Sequence, residues 1–157
     1  MNEGYWDRIE TALGIVSVAV DERGRVTRVS FGESSPAGPR GPQWCRPVCD
    51  QLREYLAGTR TSFALALAPS GTPFQQRVWQ GLTEIPYGAV CGYGDLARRI
   101  GNPGAARAVG QANGANPIPI IIPCHRVIAA DGSIGGYSSG LPIKRRLLAL
   151  ECIELAA

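Results

Sequence analysis

The chain has 157 residues, 45% of them apolar, and a formal net charge of +3; that is enough to bury a core in one domain or two small ones. It has no apolar run long enough for a membrane span and no charged-then-apolar leader, so a cytoplasmic protein with no membrane partner is expected. The five cysteines, at 45, 49, 91, 124 and 152, form an odd set without CxxC pairs, which suits a reducing compartment; with one histidine in the chain, a zinc site started by Cys45 and Cys49 lacks its remaining ligands, and no metal is expected.

In chain order, residues 13–20 and 26–31 are β-rich runs joined around Asp21-Glu22-Arg23-Gly24, the pattern of a hairpin. Residues 34–42, rich in proline, glycine and serine, read as an exposed loop. Val48, Leu52, Tyr55 and Leu56 then recur at helical spacing, with Gly58 as the stop, and residues 63–67 read as a further strand. Nothing in this part carries recognisable chemistry, and it reads as scaffold. The expected division is an N-terminal domain over residues 1–68, a linker over 69–72, and a C-terminal domain over 73–157.

Thr72-Pro73-Phe74-Gln75 places a threonine cap, a proline at the first helical position and a glutamine at the third, which starts a helix running to about Glu84. Ile85-Pro86-Tyr87-Gly88 breaks it. A short helix over 93–100, the turn Gly101-Asn102-Pro103-Gly104 and a second helix over 105–113 make a helix-turn-helix, a DNA-binding candidate. The second helix carries Ala105, Ala106, Ala108, Gly110 and Ala112, with Arg107 the one long side chain of its first turns. Small side chains permit close approach, either to a groove of DNA or to another helix of the core. Charge favours nucleic acid: residues 1–71 balance eight basic against eight acidic side chains, so the whole excess lies in residues 72–157, the half that holds Arg98, Arg99, Arg107, Arg126, Arg145 and Arg146 and of which salt-sensitive phosphate binding is expected.

Pro123-Cys124-His125-Arg126 sets one cysteine beside the only histidine. A thiol attacks as thiolate, and a neighbouring imidazole or other cation is the usual way to raise the thiolate fraction. Residues 116–123 contain three prolines and cannot be helical, so Cys124 is expected at the end of a stiff, extended segment. Neighbours in such a segment point to opposite sides, and a bridging water is the expected link between Cys124 and His125. The competing reading is a buried structural thiol. Residues 131–140 read as a lid or wing, their glycines lacking any phosphate-loop pattern. Pro142 opens a last helix with Leu147, Leu148 and Leu150 as core and Glu151 at its end.

Pro123-Cys124-His125-Arg126-Val127-Ile128 resembles the acceptor-cysteine signature of the O6-alkylguanine-DNA alkyltransferases, the methylated-DNA–protein-cysteine methyltransferases. Phe74-Gln75-Gln76-Arg77-Val78-Trp79, Tyr93-Gly94-Asp95-Leu96-Ala97, Ala105-Ala106-Arg107-Ala108-Val109-Gly110, Gly135-Gly136-Tyr137-Ser138 and Leu147-Leu148-Ala149-Leu150-Glu151 are similar to the same family in the same order. The resemblance spans residues 72–151. It implies an α+β fold with a small antiparallel sheet and helix of ribonuclease-H-like character, followed by a mostly helical, winged helix-turn-helix-like domain holding the acceptor.

The implied activity is direct-reversal DNA repair, in which an alkyl group passes irreversibly from O6-alkylguanine, or O4-alkylthymine, to the protein's own cysteine in one turnover. The implied partner is double-stranded DNA approached through the minor groove, with the damaged nucleotide flipped out. Cys124, His125 and Glu151 would form the acceptor triad, with Tyr93 and Lys144 assisting the leaving base. Arg107 would fill the gap in the stack; Tyr93, Ala106, Gly110 and Asn113 would contact DNA. Tyr137, Ser138, Val127, Gly135 and Pro119 would make the base pocket, and Asn116 would hold it together. No cofactor is implied, and a monomer is expected, nucleoid-associated in a prokaryote and open to cooperative assembly on DNA. Two alternatives stay open: a lesion-binding protein without chemistry, and a cysteine hydrolase. A transcription regulator with a similar half would need an extra, cysteine-rich domain.

Overall fold

A computed structural model of the chain describes residues 4–34, 36 and 38–155. Two compact units divide it, Met1–Ser70 and Gly71–Ala157. The architecture is α+β, and among the described residues no helix is long and apolar enough to cross a membrane.

The first unit is an antiparallel meander of β1 (Tyr5–Thr11), β2 (Gly14–Val20) and β3 (Val26–Phe31), joined by α1 (Pro42–Leu56). Val16, Val18 and Val20 of β2 and Val26 and Val29 of β3 are buried, as β-branched residues on a covered sheet should be. The turn between these strands is held by Asp21, whose carboxylate accepts from Arg23 N, Arg25 N and Arg25 Nε at 2.7 to 2.9 Å. β1 has no counterpart among the elements expected from sequence. Its alternation is hidden because four consecutive residues, Tyr5 to Arg8, are half-buried.

α1 begins with Pro42 at its first turn and buries Cys45, Val48, Cys49, Leu52 and Tyr55, so the two cysteines are core residues. Burial pushes Cys49 up to about 12 and Cys45 up to about 11. Of the loop expected over 34–42, residues 35 and 37 lie outside the described residues, and Gly41 N donates to Trp6 O beside β1. The strand expected over 63–67 does not form. Only Leu67 bridges to Val26, while the backbone N and O of Ala64 bond to the Gln51 side chain at 2.8 and 3.3 Å. A side chain from α1 thus takes the place of a neighbouring strand.

The second unit comprises α2 (Pro73–Thr83), β4 (Cys91–Gly92), α3 (Tyr93–Arg99), α4 (Ala106–Gly114), a single 3₁₀ turn (Cys124–Arg126), β5 (Val127–Ile128) and α5 (Leu141–Leu150). Thr72 and Gln75 form the reciprocal cap at the start of α2. α3 ends in a Schellman arrangement: Gly101, at φ +83°, donates to Arg98 O, and Asn102 N donates to Ala97 O at 2.9 Å. That closure supplies the tight turn into α4. Buried Trp79 of α2 donates its indole N–H to Ala112 O at 2.8 Å, which fixes the end of α4.

Candidate active site

Between α4 and the 3₁₀ turn the backbone is folded, not extended. Asn116 accepts from Ile118 N at 2.9 Å and donates to Ile122 O at 2.8 Å, while Ile122 N donates to Ile118 O and Cys124 N to Ile122 O. Prolines 117, 119 and 123 exclude a helix but do not exclude a knot of turns, because the Asn116 amide satisfies backbone groups that have no regular partner. Ile120 sits in this knot at φ +73° and is wholly buried. A β-branched residue there is a true outlier. The expected extended segment is therefore corrected to a strained loop, and Cys124 starts a 3₁₀ turn.

β5 follows this turn directly and pairs in parallel with β4, Cys91 opposite Val127 and Gly92 opposite Ile128. Since Tyr93 follows β4, two short strands bring the start of α3 beside the cysteine turn. Tyr93, Gly110, Asn113, Gly114, Gly136, Tyr137 and Ser138 line a pocket of about 250 Å³. That falls below the ~300–1,000 Å³ of sites for drug-sized ligands and suits a single ring system. Gly110 packs close to Tyr93: a Cβ there would lie in van der Waals contact with the ring, at 3.7 Å.

Cys124 is buried behind this pocket at 3% exposure. Burial pushes its thiol up, while the neighbouring Asn116 and Tyr137 side chains and the nearby Lys144 charge act in the opposite direction. The resting group is a thiol, with polar side chains and one cation nearby that favour the thiolate when it forms.

His125 is fully buried, and its Nε2 lies 2.7 Å from Glu151 Oε2. Burial lowers its pKa, and Arg126 and Lys144 add to that, against the pull of Glu151. The neutral ring then carries its hydrogen on Nε2, toward the carboxylate, and its lone pair on Nδ1. Glu151 is saturated with donors: it also accepts from Arg126 Nε at 2.8 Å, Arg126 Nη2 at 3.0 Å and Gly88 N at 3.0 Å. Arg126 Nη1 completes its fork on Ile85 O at 2.7 Å.

Lys144 is also fully buried, donating to Val127 O at 2.7 Å and Gly136 O at 2.9 Å. It therefore ties the strand after the cysteine turn to the loop lining the pocket. Burial lowers its pKa to about 8, though the Cys124 charge opposes this.

Residues 73–153 match the family model described as 6-O-methylguanine DNA methyltransferase, DNA binding domain. Over 153 residues the chain is 47% identical to the methylated-DNA–protein-cysteine methyltransferase of Methanosarcina acetivorans, covering 94% of this chain and 97% of that one. This chain belongs to the methylated-DNA–protein-cysteine methyltransferase family. It is also 59% identical over 102 residues to the Mycobacterium tuberculosis protein of that name, covering 65% of this chain and 62% of that one. The crystal structure of Mycobacterium tuberculosis OGT in complex with DNA superposes with a TM-score of 0.87 at 43% identity, covering 94% of this chain and 92% of that chain.

Of the alkyltransferase-type residues expected from sequence, Cys124, His125, Glu151 and Lys144 come together in one buried cluster with half-buried Asn116 beside Cys124, and Tyr93, Gly110, Asn113, Tyr137 and Ser138 meet at the pocket. Three expected pocket residues lie elsewhere. Val127 is fully buried and offers only its carbonyl, to Lys144; Gly135 turns at φ +69° against Ala129 N; Pro119 is buried within the knot of turns. Arg107 is exposed on α4 and Ala106 half-buried.

Arg126 is the largest correction. Counted from sequence with the arginines of the basic half, it is 6% exposed and spends its guanidinium on Glu151 and Ile85. Arg98, Arg99, Arg107, Arg145 and Arg146 are exposed. Sequence reasoning also missed Gly88 and Trp79 as supports. The Ile85-Pro86-Tyr87-Gly88 break was visible, but not that its backbone would bind Glu151. Among the described residues no group of three or more His, Cys, Asp or Glu side chains is placed to hold a metal ion.

Proposed function

We propose that this protein carries out direct-reversal DNA repair, taking the alkyl group of O6-alkylguanine onto Cys124 in a single irreversible turnover. The observation that carries this is the acceptor geometry: a buried thiol behind a ring-sized pocket, beside the chain's one histidine, itself held by a carboxylate that accepts four donors.

The O6 position is out of reach inside a duplex, so the nucleotide must be flipped out, at a cost of roughly a few kcal/mol. α4 approaches the minor groove through Ala106 and Gly110, and exposed Arg107 fills the vacated stack. Tyr93 crowds the backbone and helps turn the nucleotide. The base enters the pocket beneath Tyr137 and Ser138. His125, neutral and with its lone pair on Nδ1, takes the Cys124 proton through a bridging water, and Glu151 stabilises the imidazolium. The thiolate attacks the alkyl carbon, a C–S bond forms, the C–O6 bond breaks, and the electron pair passes to the guanine. Tyr93 and the Ser138 backbone serve the leaving base as donors. Lys144 supports the thiolate by charge and holds Gly136, and Asn116 holds the turns behind Cys124. Nothing poised at Cys124 cleaves the thioether, so the protein is consumed. It acts as a monomer in the cytoplasm, on double-stranded DNA.

The test is a titration of protein against a fixed amount of duplex carrying one O6-methylguanine, with repaired base counted at completion. Repair equal to the protein added is expected. Repair continuing beyond one equivalent would replace this reading with a hydrolase, and binding without repair would leave a lesion sensor.

A further inference from the structure

We propose that Asn113 reads the exocyclic amine of the flipped base, making this chain selective for alkylated guanine over lesions that lack that amine. The inference rests on the repair reading above and names the substrate class of the same pocket.

Asn113 is 6% exposed, lies in the last turn of α4 and lines the pocket. Its Nδ2 donates to the Cys124 carbonyl at 3.4 Å, a long bond that nevertheless fixes which way round the amide lies. The reverse orientation would set oxygen against oxygen. Oδ1 is consequently turned away from Cys124, and it is buried with no hydrogen-bond partner among the described residues. A buried amide oxygen without a donor is costly. A ligand that brings an N–H to it removes that cost, and one that does not leaves it in place.

O6-alkylation removes the N1 hydrogen of guanine, so the 2-amino group is the only donor left on its pairing edge. O4-alkylthymine has lost its N3 hydrogen and has no exocyclic amine; it presents acceptors only. O6-methylhypoxanthine is O6-methylguanine without the 2-amino group. Asn113 Oδ1 therefore has a partner in the first of these bases and none in the other two. Polar sites built to receive a donor reject analogues lacking it far more strongly than apolar pockets reject a missing methylene.

The experiment compares second-order methyl-transfer rates on duplexes containing O6-methylguanine, O6-methylhypoxanthine or O4-methylthymine, for the native chain, Asn113→Leu and Asn113→Asp. The native chain should prefer O6-methylguanine over O6-methylhypoxanthine by about ten-fold or more, and Asn113→Leu should bring that ratio close to one. Any weakening at the Cys124 carbonyl affects both purines equally and cancels in the ratio. Asn113→Asp, whose buried carboxyl is held protonated by desolvation, keeps an acceptor and should keep the preference, so that a loss of preference in the leucine variant traces to the missing acceptor; the native ratio tests the inference without either variant. A native ratio near one, or a ratio unchanged in Asn113→Leu, would overturn the inference. Absence of transfer from every duplex would instead overturn the repair reading.

Discussion

Replacing Arg126 by methionine keeps the side-chain stem and deletes the guanidinium that sits between Glu151 and Ile85. Three hydrogen bonds vanish, two onto Glu151 at 2.8 and 3.0 Å and one onto Ile85 O at 2.7 Å, and a buried carboxylate keeps only His125 and Gly88 N. Removing one partner of a buried ion pair costs about 3–5 kcal/mol, which for a chain of this size lowers Tm by roughly 6–20 °C. The change should also be visible at His125, because Arg126 is one of the cations holding its pKa below 6.5. Being the only histidine, it gives one ring resonance to follow by NMR against pH. In the native chain the folded pKa lies below the unfolded value. His125 therefore contributes stability that is present above about pH 6.5 and lost as pH falls toward the folded pKa, at no more than about 1.4 kcal/mol per pH unit. In Arg126→Met the imidazole pKa should rise, and this acid-side loss should become shallower. Arg126→Lys, which keeps the charge without the fork, should fall between the two. Unchanged Tm together with His125 titrating at the same pH in the native chain and Arg126→Met would refute this account of the buried cluster.

Tyr137→Phe removes a pocket hydroxyl that favours the Cys124 thiolate; a hydrogen bond to the sulfur once it is charged is worth about 1.5–3 kcal/mol, so methyl transfer should slow by about ten- to hundred-fold, with the pH–rate profile displaced upward. Arg107→Ala, on the exposed face of α4, should slow repair of duplex DNA while leaving the reaction with a free O6-benzylguanine base unchanged, because only the duplex requires the stack to be filled. Trp79→Phe deletes the indole bond to Ala112 O and leaves a small void, which should cost about 1–3 kcal/mol and be read as a fall in Tm.

The hairpin of β2 and β3, the capped start of α2 and the helix-turn-helix were legible because each is written in local chemistry: β-branched runs about a turn, a threonine–proline–glutamine cap, a glycine where the chain must turn left-handed. β1 was not, since its half-buried residues show no two-residue alternation. The false strand at 63–67 has the right alternation, but the Ala64 backbone bonds to Gln51, 13 residues earlier, and only its end reaches β3, where Val26 N donates to Ala66 O; no local signal records that. Cys124, His125 and Glu151 were legible as a set only through the family resemblance; spacing placed Cys124 and His125 side by side and could not place Glu151, 26 residues beyond His125. Arg126 misled for a related reason. An arginine in a basic half reads as surface charge until the carboxylate that claims it is located in space.

The central claim is that Cys124 itself receives the alkyl group. Intact mass followed by peptide mapping, after mixing the protein with duplex DNA bearing one O6-methylguanine and alongside a Cys124→Ala control, tests it most directly. The account predicts one added methyl, on the peptide containing Cys124, and none in the control. An unmodified Cys124 peptide after the lesion has disappeared, or a methyl found on Cys45, Cys49, Cys91 or Cys152 instead, would contradict it.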